Sequence, residues 1–268
     1  WETPKSKRAT TQSVIALFKQ CAPLFVALFL YSLIDNMPKF VMEGVLSYDN
    51  QLYYNALYFP AMGILLTAQL IYKPMLVKMA AVWADPDKRK RFDLIIVVMI
   101  AVIVGITAVV ALVMGWIGIT VMSFLYGVDF EQFRGLCFIM LAAGGVTACI
   151  DFLYQVVTVL RQQKTVTKLY LITFGFSLFV PTLLVNFTGL PGSVIGYLIV
   201  MMILLVLLVW EYGKVRIALG ERDKKAAAAE AERVVAHAVS DSTLGLEAAP
   251  AERPARGKGD AKAGERRR

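Results

Sequence analysis

Long apolar runs separated by short polar segments occupy most of the chain up to about residue 219. They cover Cys21–Ile34, Leu52–Tyr72, Leu94–Met114, Leu136–Leu160, Leu169–Phe187 and Val194–Trp210, and a shorter amphipathic lead at Val14–Phe18 precedes the first. A bilayer span needs about 20 predominantly apolar residues at a rise of about 1.5 Å each. The pattern therefore predicts an all-α, polytopic membrane protein with a bundle of six transmembrane helices over residues 21–219. Trp116–Tyr126 is too short to cross. It is read as an interfacial or re-entrant element after the third helix, with Trp116 and Tyr126 as anchors. Residues 1–20 form the amphipathic lead, and residues 220–268 form a charged, Ala-rich tail. Within that tail, Asp223–Val239 is expected to extend the last helix, because Ala and Glu favour helix. Beyond Ser240 disorder is expected, for lack of apolar surface.

Charge gives the spans a direction. Residues 1–19 carry Lys5, Lys7, Arg8 and Lys19, and the next loop carries only Lys39. Residues 73–91 carry Lys73, Lys78, Lys88, Arg89, Lys90 and Arg91, whereas 115–135 carry only Arg134. The turn 161–168 carries Arg161, Lys164 and Lys168, the turn Asn186–Ser193 carries none, and Lys214 and Arg216 follow the last span. Basic loops face the cytoplasm, so this alternation predicts both chain ends inside the cytoplasmic membrane. The net charge of +8 sits mainly in these loops and in the tail, so it signals topology and lipid headgroups and gives no reason to expect nucleic acid. The composition, 58% hydrophobic and 18% charged with a mean hydropathy of +0.62, agrees with a membrane protein.

Several chemistries are disfavoured. Cys21, Cys137 and Cys149 lie in apolar stretches without a disulfide framework, and the one histidine, His237, lies in the tail. A His-rich metal site and a Ser-His-Asp hydrolase are thereby disfavoured, and no phosphate-cradling glycine loop is present. We expect no enzyme activity, no metal and no cofactor. The opening at Trp1 is polar and basic, without the apolar core of a signal peptide. It suggests a processed start or a piece of a longer chain.

The polar residues at membrane depth are the informative ones. Cys21–Ile34 is short for a span, so its helix is expected to continue through Asp35, Asn36, Met37, Pro38 and Lys39. Asp35 and Lys39 are four apart and share a helix face, with Glu43 a turn further along. Pro38 favours a kink. Two readings stand: an ion pair at a kink that serves a gate or a headgroup-binding wall, or a helix end whose Lys39 snorkels to the interface. Asp151 lies inside the fourth run with Gln155 one turn along. An intramembrane carboxylate either binds a proton or sodium ion or pairs with a cation from another helix. Gly144, Gly145 and Ala148 lie on the approach to Asp151, and Gly192 and Gly196 open the last span; all suit close helix packing. Pro60 and Pro181 mark kinks inside the second and fifth runs.

Several motifs resemble, in order, the second half of Wzx-type polysaccharide flippases of the multidrug/oligosaccharidyl-lipid/polysaccharide exporter superfamily. They are Pro23-Leu24-Phe25, Asn36-Met37-Pro38-Lys39-Phe40, Tyr72-Lys73-Pro74 and Trp83 before a basic loop. Ser123-Phe124-Leu125-Tyr126-Gly127 with Asp129 and Arg134, Ala143-Gly144-Gly145, Val159-Leu160-Arg161-Gln162-Gln163 and the stretch Gly189–Gly196 follow. Together they cover about residues 12–219, with Phe40 replacing a frequent Tyr. The resemblance implies one six-helix lobe of a two-lobed transporter that moves undecaprenyl-linked oligosaccharide across the membrane, in bacterial surface polysaccharide or lipopolysaccharide synthesis. It implies a central cationic cavity, for which Asn36, Lys39 and the neighbouring Asp35 are the candidates. Asp151 and Gln155 are candidates for a coupling ion or gate, and Arg134 and Arg161 for headgroups or gate loops. The implied partners are lipid-linked oligosaccharide, membrane lipids, an N-terminal six-helix half missing from this sequence, and a glycan polymerase or glycosyltransferase. The alternatives are a lipid II or multidrug exporter of the same superfamily and a non-catalytic subunit of glycan assembly. A glycan polymerase would need a large external loop with catalytic Arg or His, which the sequence lacks.

Overall fold

The structure, a computed structural model, describes residues 7–84, 89–160 and 163–247. Every regular element among them is helical: α1 Lys7–Val45, α2 Tyr48–Ala84, α3 Arg89–Val113, α4 Ile119–Tyr126, α5 Arg134–Val159, α6 Gln163–Thr188 and α7 Leu190–Glu247. Six helical stretches are long and apolar enough to cross a membrane: Ser13–Val45, Tyr48–Trp83, Arg91–Tyr126, Glu131–Val159, Thr165–Thr188 and Leu190–Glu221. Each covers one of the six apolar runs of the sequence, the fourth run, Leu136–Leu160, extending one residue past its helix. The chain divides into two compact units, Trp1–Lys214 and Val215–Arg268.

Two helix boundaries differ from the sequence reading. Trp116–Tyr126 is no separate interfacial or re-entrant element, because α3 passes through a π-helical segment, Met114–Gly118, straight into α4. Gly115 and Gly118 flank Trp116 there, and the backbone widens by one residue per turn without breaking. The helix stops at Gly127, whose φ of 65° is a left-handed cap that glycine adopts without strain. The last helix also runs on through Ser240 to Glu247. No proline lies between Pro191 and Pro250, and after Ser240 the single Gly245 costs only about 1 kcal/mol. Residues 248–268 lie outside the described residues.

Helix α5 is the centre of the first unit. Its side chains from Met140 to Val157 are mostly buried, and the apolar faces of α1, α2, α3 and α6 point outward with many exposed large side chains. Such an inverted surface is what a lipid-facing bundle presents. Close approach to α5 depends on two adjacent glycines. A Cβ at Gly144 would sit 2.8 Å from the backbone oxygen of Ala61 on α2, and Gly145 faces the Thr107 side chain of α3. In the same way Gly196 of α7 lies against Pro181 of α6, where a Cβ would come within 3.1 Å of the proline Cα. The small residues therefore set interhelical distance, as expected from their spacing.

A test follows for α2 and α5. Gly144→Val should lower the unfolding free energy by about 1–3 kcal/mol, because backbone cannot yield to the added methyls. Gly175→Ala, with open space around it, should leave stability unchanged or raise it slightly. Thermal unfolding midpoints in detergent check both, and equal midpoints for Gly144→Val and the parent would remove the packing argument.

Candidate functional site

Helix α1 does not end at the polar stretch; it runs past Pro38 to Val45. The reading in which Lys39 marks a helix end is therefore overturned. For a bundle set in a bilayer, about 20 residues counted from Lys19 would bring the far hydrocarbon boundary to about Lys39. Asp35 then lies one turn inside it.

The other reading, an ion pair between Asp35 and Lys39, is not met either. The Asp35 carboxylate accepts hydrogen bonds from two phenols on other helices. Tyr58 of α2 donates at 3.2 and 3.1 Å to its two oxygens, and Tyr197 of α7 donates at 2.7 Å to Oδ1. Tyr197 also lies 3.2 Å from Thr147 Oγ1 on α5, so four helices meet at one carboxylate. Hydrogen bonds to a charged group contribute about 1.5–3 kcal/mol, which offsets the cost of an acid at this depth.

Lys39 goes elsewhere. Its ammonium donates to Asn36 Oδ1 at 3.3 Å and sits 4.7 Å from the centre of the Tyr58 ring. Asn36 is itself oriented by donating to Ser32 O at 2.9 Å. Tyr58 thus serves both ions: its hydroxyl holds Asp35, and its π face holds Lys39. The phenol stands between the charges, and Lys39 has no carboxylate partner among the described residues. Tyr54, stacked one turn before Tyr58, completes an aromatic wall with Tyr197. The gap beside it, between Tyr58, Leu65, Gly144, Thr147 and Tyr197, is too narrow to hold a water molecule. A half-buried ammonium held by an amide and a π face, with its charge not cancelled, can accept a phosphate or another anion.

Asp151 is the centre of a second cluster. Its Oδ2 accepts from Gln69 Nε2 at 2.8 Å and from the Tyr72 hydroxyl, both on α2. Lys73 donates to Gln69 Oε1 at 2.7 Å. A cation from another helix is therefore linked to Asp151, but through an amide and without direct contact. Gln155 has no side-chain hydrogen bond among the described residues. The two clusters share α2 and α5: Thr147, which touches the Tyr197 hydroxyl, lies one helical turn before Asp151.

Arg134 sits apart from both clusters. It opens α5, pairs with Glu131 at 3.4 Å, and donates to Gly115 O at 2.9 Å. This contact ties the start of α5 to the π-helical segment between α3 and α4. Arg161 lies outside the described residues.

The tyrosines of these clusters escaped the sequence reading. Hydropathy counts Tyr54, Tyr58, Tyr72 and Tyr197 as part of apolar runs, and Gln69 as a lone interruption. The usable signal is the spacing of Tyr54 and Tyr58 and of Gln69, Tyr72 and Lys73, which puts hydroxyl, amide and ammonium groups on one face of α2. Among the described residues no group of three or more His, Cys, Asp or Glu side chains could hold a metal ion. No family model, curated protein or solved structure matches the chain.

Proposed function

We propose that this chain is the C-terminal lobe of a transporter that moves undecaprenyl-linked oligosaccharide across the cytoplasmic membrane, and that Lys39 receives the diphosphate of that lipid. The observation that carries the reading is the Lys39 ammonium, half-buried in an apolar helix, held by Asn36 and Tyr58 and not neutralised by a carboxylate. A diphosphate needs such a cation. The chain works with an N-terminal six-helix half, has both ends in the cytoplasm, and delivers its cargo to a glycan polymerase or glycosyltransferase. The ordered motifs between residues 12 and 219 support the same assignment.

A second reading is favoured by Asp35 and Asp151: a cation-coupled drug exporter of the same superfamily, whose cavity would present carboxylates. In this arrangement the Asp35 carboxylate is bound by two phenols and the Asp151 carboxylate by a phenol and an amide. All three groups keep their charge against neutral partners, and the Lys39 ammonium is the one of them that suits an anionic cargo. Depleting the protein in its own cells separates the readings. Lipid-linked oligosaccharide should accumulate on the cytoplasmic face and surface glycan should fall, with drug sensitivity unchanged. Raised drug sensitivity with normal glycan would reverse the choice.

A further inference from the structure

We infer that the first unit carries a binding site for an amine-bearing zwitterionic phospholipid, of the phosphatidylethanolamine type, in the groove between α3 and the start of α5. The inference requires only that the bundle sits in a bilayer, and it stands apart from the glycan reading.

The groove has a volume of about 600 Å³ and is open to the surface. That falls within the about 300–1,000 Å³ typical of small-molecule sites. Its floor is made of small residues at helical spacing, Ala108, Ala111 and Gly115. Leu112, Trp116 and Phe138 supply the walls, and the Arg134 guanidinium is the one charged group among the lining residues. An apolar trough with a cation at one end matches an acyl chain below a phosphate.

Depth agrees. The hydrocarbon part of the third span starts near Leu94, after Arg89, Lys90 and Arg91. About 20 residues further on brings the opposite boundary to about Gly115. The Arg134 contact with Gly115 O therefore marks the headgroup level, and Trp116, 84% exposed, occupies the position that membrane-interface tryptophans prefer.

Charge selects the headgroup. Arg134 and Glu131 are 3.4 Å apart and about half-exposed, at 50% and 54%. Asp129 orders the same turn by accepting from the Glu131 N–H at 2.9 Å. Residues 127–135 therefore carry one positive and two negative side chains, a poor match for an anionic lipid. A phosphate against Arg134 with a primary ammonium against Glu131 satisfies both ends. A guanidinium has five N–H donors, of which Gly115 O and Glu131 occupy two, leaving donors for the phosphate. A quaternary ammonium gives Glu131 no N–H, so choline lipids fit less well.

Trp116 reports occupancy directly. The full chain, with Trp1, Trp83 and Trp210 replaced by Phe, would be placed in phosphatidylcholine vesicles. Equal small fractions of lipid with brominated acyl chains would then be added, carrying ethanolamine, choline or glycerol headgroups. Quenching of Trp116 should show roughly threefold higher site occupancy for the ethanolamine lipid than for the other two, the scale of an exposed ion pair. Glu131→Gln, which keeps the Arg134 bond to Gly115, should abolish that preference, and Arg134→Gln should lower occupancy by all three. Equal quenching by the three lipids, stronger quenching by the glycerol lipid, or a preference surviving Glu131→Gln would each overturn the proposal.

Discussion

Lys39→Ala in the complete transporter should reduce surface glycan about tenfold or more while leaving membrane insertion intact. Charge-assisted hydrogen bonds to phosphate contribute roughly 1.5–3 kcal/mol, and 1.4 kcal/mol is a factor of ten. The loss should be selective because the Lys39 ammonium bonds only Asn36 and faces the Tyr58 ring, so removing it breaks no ion pair. Tyr58 keeps its bonds to Asp35, and the four-helix junction should survive. Lys39→Arg, which keeps the charge, should retain most of the function; Lys39→Gln should not. Normal glycan in Lys39→Ala, with protein levels equal to the parent, would remove the diphosphate assignment.

Asp151→Asn should flatten the dependence of transport on pH or sodium. Both of the carboxylate's bonds, from Gln69 and Tyr72, go to Oδ2, and Oδ1 has no partner among the described residues. That leaves one oxygen for a proton or an ion. The Lys73–Gln69 relay keeps a cation within two bonds of the acid. A purely structural acid makes a different forecast: Asp151→Asn would lower stability by about 1–3 kcal/mol, as a buried donor loses its partner, with the ionic dependence unchanged. Measuring unfolding midpoints beside transport across pH and sodium distinguishes the two, and an unchanged ionic dependence assigns Asp151 to structure.

How much was legible in the sequence follows from what hydropathy measures. Apolar runs and basic loops located all six long helices, because length and composition decide that question. The π segment at Met114–Gly118 was not legible. The third run was read as ending at Met114, with Trp116–Tyr126 as a separate stretch, although the helix continues through both. Asp35, Asn36, Lys39 and Asp151 stood out because charge and amide are rare in such runs. Their partners did not. Tyr58, Tyr197 and Tyr72 bring a hydroxyl on a ring that counts as apolar, and they approach from positions 23, 162 and 79 residues away in sequence. Spacing within one helix suggested Asp35 with Lys39; the tertiary structure inserts Tyr58 between them. Local spacing therefore found the acids and cations but not their partners, which depend on helix neighbours.

Translocation itself is the most direct test. The complete two-lobed protein would be reconstituted into vesicles whose undecaprenyl-linked oligosaccharide is distributed over both leaflets, and a membrane-impermeant glycan-modifying reagent would be added outside. The account predicts that the inner-leaflet pool becomes accessible with the parent protein and stays protected with Lys39→Ala. Continued protection with the parent protein, or equal access with both, would contradict it.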